Sequence, residues 1–281
     1  MKVCKTVPDI RRIVAGYRSA GHSIGLVTTM GALHAGHMAL ITAAQRDHPR
    51  VVATIFVNPT QFGETKDFAT YPSDIKRDID MLQAAGVDAL FLPDVATMYP
   101  DGDETIVETT QLANVLHGQV RPGHFRGVAT VVARLFNITL PDAAYFGEKD
   151  YQQLQVIRCM VRDLHFPLSI HAVPTVRDPD GLAMSSRNAR LSPDDRRAAP
   201  ILHHALKQAA ALIKAGITAK DLYNAIRATI AAEPRATVLA IDIVTADTLA
   251  PINGPIDGET AILLSAQFGD VLLIDQKEVT P

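Results

Sequence analysis

Apolar and polar positions follow two different regimes along this chain. Up to about residue 175, short apolar runs alternate with amphipathic stretches. The runs Ile24–Val27, Val51–Phe56, Ala89–Leu92, Ala143–Phe146 and Leu168–Val173 predict strands, because a strand covered on both faces is apolar at successive positions. Between them, Ser73–Ala85 places Ile75, Ile79, Met81 and Leu82 near one face of a helix. Val128–Asn137 and Gln152–Leu164 are spaced similarly, and Met38–Arg46 is compatible with a helix. Such alternation predicts a parallel sheet covered by helices, with ligands bound at the carboxyl ends of the strands.

After Arg187 the regime changes. Leu191–Ala215 and Lys220–Ala232 read as alanine-rich helices, and the strand-like runs Leu239–Val244, Ala261–Ser265 and Val271–Ile274 follow. Turn signals stand at Asn253-Gly254 and Asp257-Gly258. Helices followed by strands predict a small α+β domain, so the expected division is 1–175 and 176–281, with the boundary near Val176.

Composition narrows the class without naming an activity. Hydrophobic residues make up 47% of the 281, enough for a substantial core. The net charge of −3 comes from 27 basic and 30 acidic residues without a basic face, which argues against a nucleic-acid partner. No apolar segment approaches the roughly 20 residues that span a bilayer. Met1–Thr6 lacks the apolar core of a secretory signal. Cys4 and Cys159 are isolated, so the expectation is a soluble cytoplasmic protein with reduced thiols.

The chemistry concentrates in five segments. Thr29-Met30-Gly31-Ala32-Leu33-His34-Ala35-Gly36-His37 carries the chain from a strand through glycine into a helix. Backbone N–H groups at such a junction favour anions, and two histidines three apart lie within one helical turn. His-x-Gly-His at this position resembles the signature of the nucleotidyl-transferase superfamily, though alone it also fits ordinary surface or core histidines. Zinc has little support, because no third ligand stands at a recognisable spacing. Asn58-Pro59-Thr60-Gln61-Phe62-Gly63 follows a strand and offers uncharged donors and acceptors, or is a plain turn. Arg121-Pro122-Gly123-His124-Phe125-Arg126-Gly127 precedes a helical run and suits anion handling, or is a solvated turn. Gly147-Glu148-Lys149-Asp150 joins a strand to a helix, with Lys149 a point charge for phosphate, Asp150 an acceptor for a ribose hydroxyl, and Gln153 four residues beyond Lys149. Met184-Ser185-Ser186-Arg187-Asn188 follows the turn Asp178-Pro179-Asp180-Gly181 and suits phosphate oxygens or a helix cap. The span Asp178 to Arg187 is expected to be a mobile flap that orders around nucleotide.

Together, from about Thr28 to Asn188, these segments resemble the pantothenate synthetase family, the pantoate–β-alanine ligases. Thr28 stands where that family usually has proline, and Ala35 where it usually has an acid. The resemblance implies a Rossmann-like α/β domain with helices on both faces of the sheet and a smaller C-terminal lid domain. It implies an ATP-dependent enzyme that joins pantoate to β-alanine through a pantoyl-adenylate, releasing AMP and pyrophosphate. Met30, Gly31, Ala32, Leu33, His34, Ala35, Gly36 and His37 would cradle ATP, with His37 donating to the charge that grows in the first step. Lys149, Arg187, Ser185 and Ser186, with Met184, would hold the triphosphate. Gly147, Glu148, Asp150 and Val176 would hold the adenosine part. Gln61 and Gln153 would bind pantoate, Gln61 also facing β-alanine, with Asn58, Arg121 and His124 on the substrate side. Mg²⁺ is expected on the pyrophosphate oxygens, and a cytoplasmic homodimer without membrane or nucleic-acid partners. A dinucleotide-forming transferase of the same fold is the rival, disfavoured by the uncharged pair Gln61 and Gln153. A non-catalytic nucleotide sensor would bind ATP without turnover.

Overall fold

The computed structural model describes residues 1–63 and 73–281. The chain separates into two compact units, one of Met1–Gly147 and Gln153–Val173, the other of Glu148–Gln152 and Pro174–Pro281. The short excursion of 148–152 departs from a single cut near Val176. Its cause is local: the Tyr151 hydroxyl lies 3.0 Å from the Ala246 carbonyl and 2.6 Å from Glu278, both in the second unit.

In the first unit, β1 (Lys2–Cys4), β2 (Ile24–Thr29), β3 (Arg50–Ile55), β4 (Ala89–Phe91), β5 (Ala143–Gly147) and β6 (Ser169–Val173) form one sheet in the order β1-β4-β3-β2-β5-β6. Every pairing is parallel. Successive strand residues feed opposite cores, as the two-residue period requires. Leu26, Val52, Ala144 and Phe146 pack with helices Val7–Ser19, His124–Thr139 and Tyr151–Asp163. Val27, Ala53, Ala143 and Tyr145 pack with helices Ala35–Asp47 and Ile75–Ala84. Helices therefore cover both faces, which is why the strands read as nearly continuous apolar runs. The chain leaves β2 for β3 on one side and reaches β5 on the other. That reversal makes the carboxyl ends of β2 and β5 the switch point where this sheet type opens a crevice.

Among the first-unit elements that the apolar pattern did not announce are one long helix and one strand. Helix Val7–Ser19 is capped by Thr6, whose hydroxyl accepts the Asp9 N–H, and it turns Ile10 and Val14 into the core. Strand β1 is too short to carry a pattern of its own.

The second unit packs helices Ile201–Lys214 and Ala219–Ala231 against an antiparallel sheet of β7 (Ala236–Thr245), β8 (Thr260–Phe268) and β9 (Val271–Val279). β8 is central and buried along most of its length. The predicted single helix 191–215 is two helices, Pro193–Ala198 and Ile201–Lys214, because Pro200 has no N–H for the helical ladder. Among the described residues no helix is long and apolar enough to cross a membrane.

Candidate active site

At the end of β2 the chain makes a left-handed step, with φ of 86° at Gly31 and 50° at Ala32. It then enters helix Ala35–Asp47 with His34 as the N-cap. The two histidines cap that helix reciprocally. The Gly36 N–H donates to His34 Nδ1 at 3.1 Å, and the His34 N–H donates to His37 Nδ1 at 3.2 Å. The rings lie 4.2 Å apart, inclined at 50°. Gly36 is glycine for a steric reason: a Cβ there would stand 2.8 Å from His34 Cε1.

The cap also fixes tautomers. A nitrogen that accepts from a backbone N–H carries no proton, so in each neutral ring the proton sits on Nε2. The helix start thus builds a pair of imidazoles whose Nε2 atoms are hydrogen-bond donors.

The turn's own amides were expected to face the ligand, yet most are already engaged. Gly31 N–H donates to Thr29 Oγ1, and those of Ala32 and Leu33 donate to the Asp78 carboxylate. The amides of His34 and Gly36 are likewise engaged, in the cap. Asp78 was missed because its helix was read only for its apolar stripe. The available signal was an acid on that stripe, three residues after Ile75 and four before Leu82.

Gln61 lies in a short helical turn, Pro59–Gln61, and its amide is oriented by Asn58. Asn58 Nδ2 donates to Gln61 Oε1 at 3.0 Å and to the Gly127 carbonyl at 3.1 Å. Asn58 Oδ1 accepts from the Tyr99 hydroxyl at 2.7 Å and from the Thr60 hydroxyl at 3.0 Å. Burial pushes the Tyr99 pKa up and so keeps that hydroxyl a donor. With its carbonyl held by Asn58, Gln61 points its NH₂ the other way, within 3.1 Å of Met30 Sδ. Asn58 is only 1% exposed with every polar atom used. It orients the Gln61 amide through that hydrogen bond.

Arg121 and His124 stand beside the same turn. His124 Nδ1 is 2.8 Å from the Gln61 carbonyl, and Arg121 is 3.4 Å from His124 Nε2. Helix His124–Thr139 approaches so closely that a Cβ on Gly127 would be 2.6 Å from the Thr60 carbonyl. These groups hold the Gln61 turn. Gly147, at the end of β5, faces open space, and Gln153 is half-buried in the first turns of helix Tyr151–Asp163.

In the second unit Lys149, Ser185, Arg187 and Asn188 line one recess with Leu182 and Ile274. Lys149 is 3.9 Å from Asp150. Ser185 caps the turn Ser186–Arg190 by accepting the Arg187 N–H. Asn188 donates to the Ala183 carbonyl and leaves its own buried Oδ1 without a partner among the described residues. The Val176 carbonyl accepts from Met184 N–H at 2.9 Å, so that carbonyl is engaged within the unit.

The expected flap is tied at several points. Arg177 forms a two-pronged pair with buried Asp275, and Arg196 bridges Asp178 at 2.9 Å and Asp180 at 2.5 Å. Asp178 and Asp180, read as turn formers, are also ion-pair partners of an arginine far along the chain. Among the described residues no cluster of three or more His, Cys, Asp or Glu side chains is placed to hold a metal.

Comparison with known proteins identifies relatives along the full length. The family model described as pantoate-beta-alanine ligase matches residues 2–278. The chain is 50% identical to the pantothenate synthetase of Moorella thermoacetica, over 98% of this chain and 97% of that one. It superposes on the crystal structure of the Thermus thermophilus enzyme of that name with a TM-score of 0.93, 45% identity and full coverage of both chains. The Francisella tularensis pantoate-beta-alanine ligase, solved in complex with beta-gamma ATP and beta-alanine, gives a TM-score of 0.81 and 36% identity over 99% of this chain and 97% of that one.

Proposed function

The chain belongs to the pantoate-beta-alanine ligase family, and we propose that it joins pantoate to β-alanine by way of a pantoyl-adenylate. A carboxylate does not condense with an amine unaided, because its oxygen is a poor leaving group. In the proposed first step a pantoate carboxylate oxygen attacks the α-phosphorus of ATP, and the bond to pyrophosphate breaks. In the second, the free amine of β-alanine attacks the acyl carbon, an amide forms, AMP leaves, and the amine's proton passes to solvent.

The protein's work in both steps is placement and charge stabilisation. The observation that carries the reading is the reciprocal His34–His37 cap at the sheet's switch point, which makes the Nε2 of each ring an N–H donor at a helix start, where an anion is favoured. In this reading His37 donates to the charge that grows as pyrophosphate departs. Gln61, its carbonyl held by Asn58, offers N–H donors to the pantoate side, and Gln153 adds a second amide. Residues 30–37 take the nucleotide through side chains more than through amides. Gly147 gives the nucleotide close approach, and Glu148, Asp150 and Val176 serve its adenosine part. Lys149, Ser185, Ser186 and Arg187, with Met184, supply the cation and hydroxyls for phosphate. Mg²⁺ fits as a companion of ATP, held by phosphate oxygens and water, where it would neutralise charge. A cytoplasmic homodimer belongs to the same reading, with light scattering as its check.

The decisive experiment uses pantoate labelled with ¹⁸O in its carboxylate, with ATP, Mg²⁺ and β-alanine. Transfer of one label into AMP, with pantothenate formed, is the expected result. Unlabelled AMP, or ADP and phosphate as products, would overturn the adenylate. ATP binding without any turnover would favour a sensor.

A further inference from the structure

We propose that Asp78 is a positioning residue for the imidazole pair, clamping the turn between β2 and helix Ala35–Asp47 so that His34 and His37 are held where they act. Asp78 lies in helix Ile75–Ala84 and has no exposed surface. A buried carboxylate is normally matched by a cation. Among the described residues Asp78 has no ion pair; its oxygens instead take the Ala32 and Leu33 N–H groups, each at 2.8 Å. Those two amides belong to the last residues before the His34 cap.

The turn needs such a clamp. Ala32 sits at φ 50°, a conformation in which an L side chain crowds its own backbone. Gly31 precedes it at φ 86°, and a Cβ at that position would come within 3.0 Å of Asp78 Oδ2. Two charge-assisted hydrogen bonds from one rigid carboxylate hold the strained step in a single shape. The clamp is anchored in turn. Leu82, on the same helix, is fully buried in one cluster with Leu33, Leu40 and Ile41, so the helix bearing Asp78 and the helix bearing the histidines share a core. A turn that relaxed would move the N-cap residue and break the cap that sets both tautomers.

This inference rests on the role given above to His34 and His37, and wild-type turnover decides that role separately. The clamp is tested by resonances that need no turnover. In the wild-type protein the Ala32 and Leu33 amides should exchange slowly; exchange at the rate of an open loop would overturn the clamp. Asp78→Asn keeps the shape but replaces one acceptor with a donor facing an N–H. It should shift the His34 and His37 imidazole ¹⁵N signals and lower kcat by on the order of 10- to 100-fold, the scale of a small misplacement. Ile10→Ala, which opens a cavity in the core on the other face of the sheet, serves as the control for lost stability and should leave both readings near wild type. If Asp78→Asn moves neither signal nor kcat, or if Ile10→Ala moves them equally, Asp78 is structural only. Should Asp78→Asn fail to fold, the wild-type exchange rates and Ala32→Gly decide. With the left-handed step made easy, Ala32→Gly in the Asp78→Asn background should restore folding and part of the imidazole signature. No restoration would count against the clamp.

Discussion

The turn at the end of β2 and the turn at 176–190 carry similar letters in the sequence: a glycine, small residues and side chains suited to phosphate. Their physics differs. The first is held by hydrogen bonds of buried and half-buried side chains: the His34–His37 cap, the Asp78 carboxylate on two backbone amides, and Asn58 on the Gln61 side chain. The second is fixed by ion pairs that are mostly half-exposed, with Arg196 on Asp178 and Asp180. Buried hydrogen bonds are little screened by salt, whereas exposed ion pairs are weakened by it. The first region is therefore suited to aiming reacting groups, and the second to gripping a charged ligand while remaining adjustable.

The sharpest way to break that contrast is His37→Ala. It removes a donor proposed to act chiefly in the transition state, which should lower kcat by about 10²–10³. It also removes the acceptor for the His34 N–H, so the helix start should lose stability on the scale of a cap, about 0.5–2 kcal/mol. Circular dichroism should show a retained fold, and ¹⁵N spectra of the wild type should report Nε2–H for both rings. Near-normal turnover would remove His37 from the chemistry. An Nδ1–H tautomer would dissolve the reciprocal cap.

Gln153→Ala comes next. The amide suits a hydroxyl or carboxylate and carries no charge for phosphate, so kcat/KM for pantoate should fall by about 10- to 100-fold, the worth of a hydrogen bond to a charged group. Affinity for an unreactive ATP analogue should hold. Equal loss of both affinities would move Gln153 to the nucleotide.

Asn58→Ala tests whether the first region is held as a buried network. It would leave the Gly127 carbonyl and the Gln61 amide without their partner, a destabilisation of about 1–3 kcal/mol. KM for pantoate should rise as Gln61 loses its orientation, and urea unfolding measures the stability. A variant as stable as the parent would show that the network is dispensable.

The smallest effect belongs to the second region. Arg196→Ala should cost under about 1 kcal/mol overall, because its partners are partly exposed. Proteolysis at 176–187 should nonetheless quicken, and in the parent the segment should resist cleavage even without nucleotide. Acid probes the same tie. The Arg196 hydrogen bond lowers the Asp180 pKa from its ordinary value. Its contribution is intact above an unfolded-state pKa of about 3.9 and is lost as pH falls through the depressed folded value. A turn whose cleavage ignores Arg196→Ala, salt and acid alike would erase the distinction between the regions.

Much of this was legible beforehand where the pattern is local. Each apolar run of the first unit is a strand, within a residue or two at either end, because burial on both faces leaves a continuous signal. The histidine motif fell at a strand-to-helix junction for the same reason. Helix Val7–Ser19 was legible too, since Ile10, Ile13, Val14 and Tyr17 recur at helical spacing, but it went unread. Pro200 announced the break that splits 191–215.

What the residue order determined by itself was where chain direction changes, which faces are apolar, and that imidazoles, amides and cations follow particular strands. What only the tertiary structure decided was which polar groups meet. Asp78 reaches the Ala32 amide across 46 positions, and Tyr99 reaches Asn58 across 41. Local periodicity fixes whether a side chain faces the core, but its partner there is set by how separate elements pack, and that depends on the whole sheet. Asn58 is braced by Tyr99 and Gly127, and the Ala32 and Leu33 amides are held by Asp78, in each case by neighbours distant in sequence.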